Sequence, residues 1–327
     1  KRKNKIPDFY FPSHNTHIFN EIGTKEDQSF SFFPYGYQYR FLGGGKTNEL
    51  GFRIECDLSK LANRKKNHKI IAMFGGSGMY SVRSKSNECF SKILQTKIND
   101  LDLKNSYTIL NFGLPGGVIL NEILNYILYA QVLKPEITIS HSGFNDFRFG
   151  AINDPFLLKK YNISYLSNLE GWSQHLHNNF DKELNYFKSD VPIINSPSTI
   201  IKAYINRILQ FRDIVEGTKG IFITALQPLV WSKKKFSTFE SKDILEGQKP
   251  SIKRLWKTNL KVPYIYERFV KKMLDFADIN FLNIHKEFTL FDENKTLFRD
   301  FAHTNYQGDN EISKIYLKYL IDNALIE

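Results

Sequence analysis

Cysteine is nearly absent: the 327-residue chain has two, Cys56 and Cys89. Two thiols exclude a disulfide-dense scaffold and a cysteine-built metal centre, and they leave open whether the pair is bridged or free. Methionine and tryptophan are scarce as well, at three residues each. No apolar run reaches the roughly 18 residues of a membrane-spanning helix. The longest candidate, Val118 to Leu133, is interrupted by Asn121, Glu122, Asn125 and Gln131, so it reads as an amphipathic or buried helix. The chain opens on Lys1, and membrane association is expected only through a segment ahead of it. Internal repeats and low-complexity tracts are lacking too.

What is abundant is basic and aromatic. Lysine and arginine total 45 against 34 acidic residues, a formal net charge of +11. Clusters stand at Lys1-Arg2-Lys3, Arg64-Lys65-Lys66 and Lys233-Lys234-Lys235. A basic surface favours anionic partners, but no helix-turn-helix, zinc-finger or RNA-binding signature accompanies it, and a nucleic-acid partner is not expected. The charges read as a solvated scatter. A hydrophobic share of 42% with 15% aromatics supports a sizeable core, in one large domain or one domain with an appendage.

From residue 62 onward, short β-rich runs alternate with longer helical patterns. Strands are predicted at His68–Phe74, Tyr107–Phe112, Glu136–Ser140, Gly220–Leu226 and Asn280–His285. Helices are predicted at Ser84–Lys97, Val118–Leu133, Thr199–Val215, Ile265–Phe276 and Gly308–Leu325. Strands separated by helices imply βαβ units and a parallel sheet covered on both faces. The expectation is a doubly wound three-layer α/β/α sandwich. Residues 1–61 read as an irregular extension with short strands, packed on a domain of residues 62–327. Residues 151–198 form a long aromatic connection, and a connection of that length is usually functional.

Familiar motifs fail on inspection. "GGGKT" at Gly43 to Thr47 lacks the glycine that a phosphate loop needs at position 40, which is Arg40. The G-x-S-x-G elbow fails because Met79 stands at its last glycine. The eight histidines show no metal-ligand spacing. What remains is four blocks, most of them just past a predicted strand: Gly75-Gly76-Ser77-Gly78, "NFGLPGG" from Asn111 to Gly117, "SHSGFNDF" from Ser140 to Phe147, and "DFAHTNYQG" from Asp300 to Gly308. In an open α/β sheet, ligands bind beyond the carboxyl ends of the strands. Segments far apart in sequence would meet there.

In this order the blocks resemble those of the SGNH (GDSL-type) hydrolases, over about Lys69 to the C-terminus. Ser77 occupies the serine position, with Gly-Gly-Ser where the usual form is Gly-Asp-Ser; Gly143-Phe144-Asn145-Asp146 matches G-x-N-D, and Asp300-Phe301-Ala302-His303 matches D-x-x-H. The second-block glycine maps to Gly113, with Gly116 as the fallback. The resemblance implies a flavodoxin-like sandwich and a serine esterase working through an acyl-enzyme. Ser77 would be the nucleophile, His303 its base and Asp300 the partner of the ring. The backbone N–H groups of Ser77 and Gly113 and the Asn145 amide would bind the oxyanion. No cofactor or metal is implied. The substrate would be a small-molecule or glycan ester, with carbohydrate O-acetyl groups favoured. Alternatives are an O-acyltransferase with the same triad, a lipid esterase, or a binding protein that keeps the fold. Trp172, Tyr161 and Tyr165 in the long connection are the candidate substrate contacts.

Overall fold

The computed structural model describes residues 30–33, 36–39, 47–48, 51–82, 84–150, 195–246 and 262–327. A hairpin of β1 (Phe30–Phe33) and β2 (Gly36–Tyr39) precedes the domain. The domain itself is built on β3 (His68–Gly75), β4 (Ser106–Asn111), β5 (Ile137–Ser142), β6 (Ile221–Leu226) and β7 (Asn280–Leu282). These five strands are all parallel, in the order β4-β3-β5-β6-β7. The chain thus winds one way from β3 to β4, then returns past β3 to build β5, β6 and β7. This is the doubly wound flavodoxin-like order, and its topological switch point lies between β3 and β5.

Alternation along the strands builds the two cores. Ile70, Ala72 and Phe74 of β3 face one layer, whereas Ile71 and Met73 face the other. On the first face pack α4 (Ile119–Asn125), α6 (Pro197–Gly217) and α7 (Val262–Met273). On the second pack α3 (Phe90–Asn99), α8 (Ile284–Phe288) and α9 (Tyr306–Asp322). Phe74 stacks on Phe112 at 5.0 Å and meets Phe211 edge-on at 5.7 Å, knitting sheet to helix. Phe52, fully buried, lays its ring against Phe112, and Arg53 bridges antiparallel to Asn111 at the β4 edge. A short helix, α1 (Leu58–Ala62), capped by Asp57, follows.

Several boundaries differ from the sequence expectation for identifiable reasons. The helix expected from Ser84 starts at Phe90, because Ser86–Glu88 form a tighter turn and Cys89 is extended at the N-cap. The strand expected to reach His285 ends at Leu282, where Asn283 accepts from the Lys286 N–H and starts α8. The strand expected to stop at Ser140 runs to Ser142 instead. Its polar residues are housed: Ser140 Oγ donates to Glu122 at 2.5 Å, Ser142 Oγ meets Tyr204 Oη at 2.8 Å, and His141 Nδ1 meets Tyr316 Oη at 2.9 Å. Burial pushes Glu122 up to about 7.

Two of the basic clusters are partly structural. Arg64 is a staple whose guanidinium donates to the Leu133 and Lys134 carbonyls and to Glu136. Lys233 and Glu240 form an ion pair at 2.6 Å with both side chains fully buried. Lys233 Nζ also donates to the Lys295 carbonyl. Glu240 accepts from the N–H groups of Ser237, Leu297 and Phe298 at 2.9, 2.8 and 3.2 Å. Removing one member of such a pair costs about 3–5 kcal/mol, because the other is left charged and buried. Glu240→Ala should therefore lower unfolding free energy by about that much in urea titrations, and a loss below about 1 kcal/mol would show that the pair does not hold the 295–298 segment.

Candidate active site

The blocks chosen from sequence meet at the switch point. Ser77 follows the end of β3 and is the first residue of a four-residue helix, α2 (Ser77–Tyr80). At that position its N–H has no intrahelical acceptor. Asn145 lies just past the end of β5, in α5 (Phe144–Gly150), beyond a turn in which Gly143 takes a φ of +115°. A side chain there would be strained, so the turn that brings Asn145 to the Gly117 carbonyl beside Gly76 needs glycine.

From the far end of the chain, His303 reaches the serine. His303 Nε2 lies 2.7 Å from Ser77 Oγ, a contact between residues 226 apart. His303 Nδ1 lies 2.9 and 2.8 Å from the two carboxylate oxygens of Asp300. An ionised carboxylate only accepts, so the ring proton sits on Nδ1 and leaves Nε2 to accept from the serine hydroxyl. Asp300 also accepts the N–H groups of Ala302 and His303, each at 2.9 Å. Burial alone would raise its pKa; the His303 ring and these two N–H donors outweigh that and hold it down at about 2. Side-chain exposures of 22% for His303 and 26% for Asp300 leave the pair reachable by a substrate.

The second block needs a correction. The N–H of Gly113 donates to Asn111 Oδ1 at 2.9 Å and is not available to a substrate. Gly117 is likewise committed, to the Leu114 carbonyl at 2.7 Å. Gly116, with φ of +75°, is the glycine of this loop whose N–H makes no backbone hydrogen bond among the described residues. The loop is stitched to the strand end by Leu114 N–H on the Gly75 carbonyl at 2.9 Å. Asn145 Nδ2 donates to the Gly117 carbonyl at 2.8 Å, which leaves its second amide hydrogen free to serve a ligand.

The same packing accounts for Gly76, where the related motif has aspartate. A Cβ at Gly76 would lie 2.6 Å from Asn145 Nδ2 and 3.1 Å from the Gly117 carbonyl oxygen. No real Cβ tolerates the first distance. In this chain the amide of Asn145 sits where that side chain would start.

The three aromatic candidates in the long connection, Trp172, Tyr161 and Tyr165, lie outside the described residues. The aromatic side chains beside the Asp300–His303 loop come from elsewhere: Phe301 within the loop, Phe144 at 5.5 Å from it and Trp231 at 6.2 Å. Phe144 and Phe301 stand inside the quoted blocks, so attention to their variable positions would have found them. Gln227, just beyond β6, was also missed; it is a polar residue between Leu226 and Pro228 and is 3% exposed. Among the described residues no three His, Cys, Asp or Glu side chains gather to hold a metal ion, and no helix is long and apolar enough to cross a membrane. Cys56 is exposed and Cys89 buried, both as free thiols.

No family model and no curated protein matches the chain. Among solved structures it is similar to an acetyl xylan esterase, at 13% identity and TM-score 0.44 over 76% of this chain and 98% of that one. It is similar as well to an acetylxylan esterase from Geobacillus stearothermophilus, at 10% identity and TM-score 0.46 over 77% and 94%. A third is an alpha/beta hydrolase from the metagenome of Lake Arreo, Spain, at 12% identity and TM-score 0.47 over 77% and 94%.

The Asp300 carboxylate gives a pH signature. Its folded pKa lies near 2, below the ordinary 3.8. A depressed carboxylate stabilises the fold above its unfolded pKa, and that contribution fades as pH falls from about 4 to about 2. The stability gap between the wild type and Asp300→Asn should narrow as pH falls through this interval. A gap that stays constant through pH 2 would mean that Asp300 does not make these contacts.

Proposed function

We propose that the chain is a serine esterase that cleaves O-acyl esters through an acyl-enzyme. The observation that supports this best is the continuous hydrogen-bonded series from Ser77 Oγ through the His303 ring to Asp300. Ser77 Oγ attacks the acyl carbonyl carbon while its proton passes to His303 Nε2. Asp300 stabilises the imidazolium that forms. The carbonyl oxygen, now negative, is bound by the Ser77 N–H, the Gly116 N–H and the remaining amide hydrogen of Asn145. His303 then gives its proton to the leaving alcohol oxygen as the C–O bond breaks. In the second half, water gives a proton to His303 and its oxygen attacks the acyl carbon. Ser77 Oγ recovers that proton and the acid departs.

A short acyl group on a carbohydrate hydroxyl is the substrate class we favour, as the resemblance of the four blocks implies. The half-buried rings of Phe301 and Trp231, 6.2 Å apart at the His303 loop, give that side of the site an apolar character compatible with a sugar ring.

Purified protein should release p-nitrophenol from p-nitrophenyl acetate and acetate from a peracetylated sugar, and Ser77→Ala should abolish both. Asn145→Ala should lower kcat by about 10²–10³-fold with little change in KM, the typical loss for one oxyanion donor. Hydrolysis that persists in Ser77→Ala would overturn the reading, and an unchanged kcat in Asn145→Ala would remove that residue from the oxyanion site.

A further inference from the structure

The peptide unit immediately before His303 is held from both ends. Its N–H, that of His303, donates to Asp300 Oδ1 at 2.9 Å. Its carbonyl, that of Ala302, accepts from Gln227 Nε2 at 2.8 Å. Gln227 is itself fixed: its backbone N–H donates to the Ser142 carbonyl at 2.9 Å, extending the β5–β6 ladder by one rung. The side chain is 3% exposed, so its bond to Ala302 does not compete with bulk water. The carboxamide also lies against the nucleophile turn. A Cβ at Gly78 would stand 2.7 Å from Gln227 Nε2 and 2.8 Å from its Cδ.

The side chain of Gln227 thus lies between two parts of the site, the turn that carries Ser77 and the peptide that carries His303, while its backbone ties it to the end of the strand that leads to Asn145. Neither end of that peptide belongs to a strand of the sheet, so no ladder sets its rotation. Rotating it would move the N–H away from Asp300 and swing the ring on the serine. Gln227 reaches the His303 ring through the Ala302 carbonyl rather than by touching the ring nitrogens.

We infer that Gln227 is a positioning residue, which sets the rotation of the 302–303 peptide and so aligns the His303 ring between Asp300 and Ser77. The inference deepens the esterase reading and rests on it for its effect on rate, but its geometric content can be read without turnover. Misalignment of about 1 Å at a reacting group costs about a hundredfold in rate, which sets the expected scale.

The test compares wild type, Gln227→Met and Gly78→Ala. Methionine keeps the length and bulk of the side chain and removes both N–H donors. Alanine at position 78 displaces the carboxamide from the other side. The first readout is the proton NMR resonance of the His303 Nδ1–H, assigned by its loss in His303→Ala. It should shift or broaden in both variants while circular dichroism stays native; an unmoved resonance in Gln227→Met overturns the inference whether or not any ester is turned over. The second readout is hydrolysis of p-nitrophenyl acetate by the same proteins. Here kcat should fall about tenfold to a hundredfold while KM stays within about twofold. A kcat within about threefold of wild type, or a loss of kcat/KM carried by KM instead, would reduce Gln227 to packing. Failure of the esterase reading looks different: wild type itself would show no Ser77-dependent hydrolysis.

Discussion

The site depends on one contact, the 2.7 Å hydrogen bond that brings His303 to Ser77 across 226 residues of sequence. Ser77 is anchored by β3, a central strand. His303 is not on any strand, and a loop left to itself would sample many orientations at a cost of about 1–2 kcal/mol per residue when fixed. The structure meets that cost with buried polar contacts spaced along the approach. Glu240 takes the N–H groups of Leu297 and Phe298, Lys233 takes the Lys295 carbonyl, and Asp300 takes those of Ala302 and His303. The Val230 N–H donates to the Phe301 carbonyl at 3.0 Å. After His303, Asn305 caps α9 and fixes the exit. The rest comes from backbone: Arg299 N–H donates to the His303 carbonyl at 2.9 Å and Phe298 bridges antiparallel to Thr304, so side chains and a single bridge do together what a strand does for Ser77.

The other half of the arrangement follows from sheet topology. A parallel sheet sends all its carboxyl ends to one rim, and reversal of winding between β3 and β5 opens a crevice there. Ser77 stands at one lip and Asn145 at the other. Tight approach favours glycine here: a Cβ at Gly76 would meet the Asn145 amide at 2.6 Å and force it to move from the Gly117 carbonyl. A half-buried serine just past a strand end and a histidine on a pinned loop divide the labour between scaffold and loop.

Much of this was readable from the sequence where pattern and physics agree. The strand at His68–Gly75 announces itself as an apolar run ending in glycines, and it is buried on both faces as such runs require. Ser77, Asn145, Asp300 and His303 are short polar blocks at or beyond predicted elements, and the structure gathers them. Reading failed where long-range contacts override local chemistry. His141 and Ser142 look like the start of a loop, yet each finds a buried partner on a helix and stays in the strand. Lys233 looks like a solvated charge, yet it is paired in the core with a glutamate seven residues away. Gly113 looks like the oxyanion glycine, and the side chain of Asn111 removes it from that role. None of these partners can be named without the fold.

The most direct test of the central claim is covalent. An alkyl fluorophosphonate reacts with a serine whose hydroxyl is activated by a neighbouring base, and the adduct survives digestion and mass spectrometry. The account predicts one phosphonyl group per chain, on the peptide containing Ser77, with its formation suppressed in His303→Ala. Labelling of another serine while Ser77 stays unmodified, or equal labelling of Ser77 in His303→Ala, would contradict it.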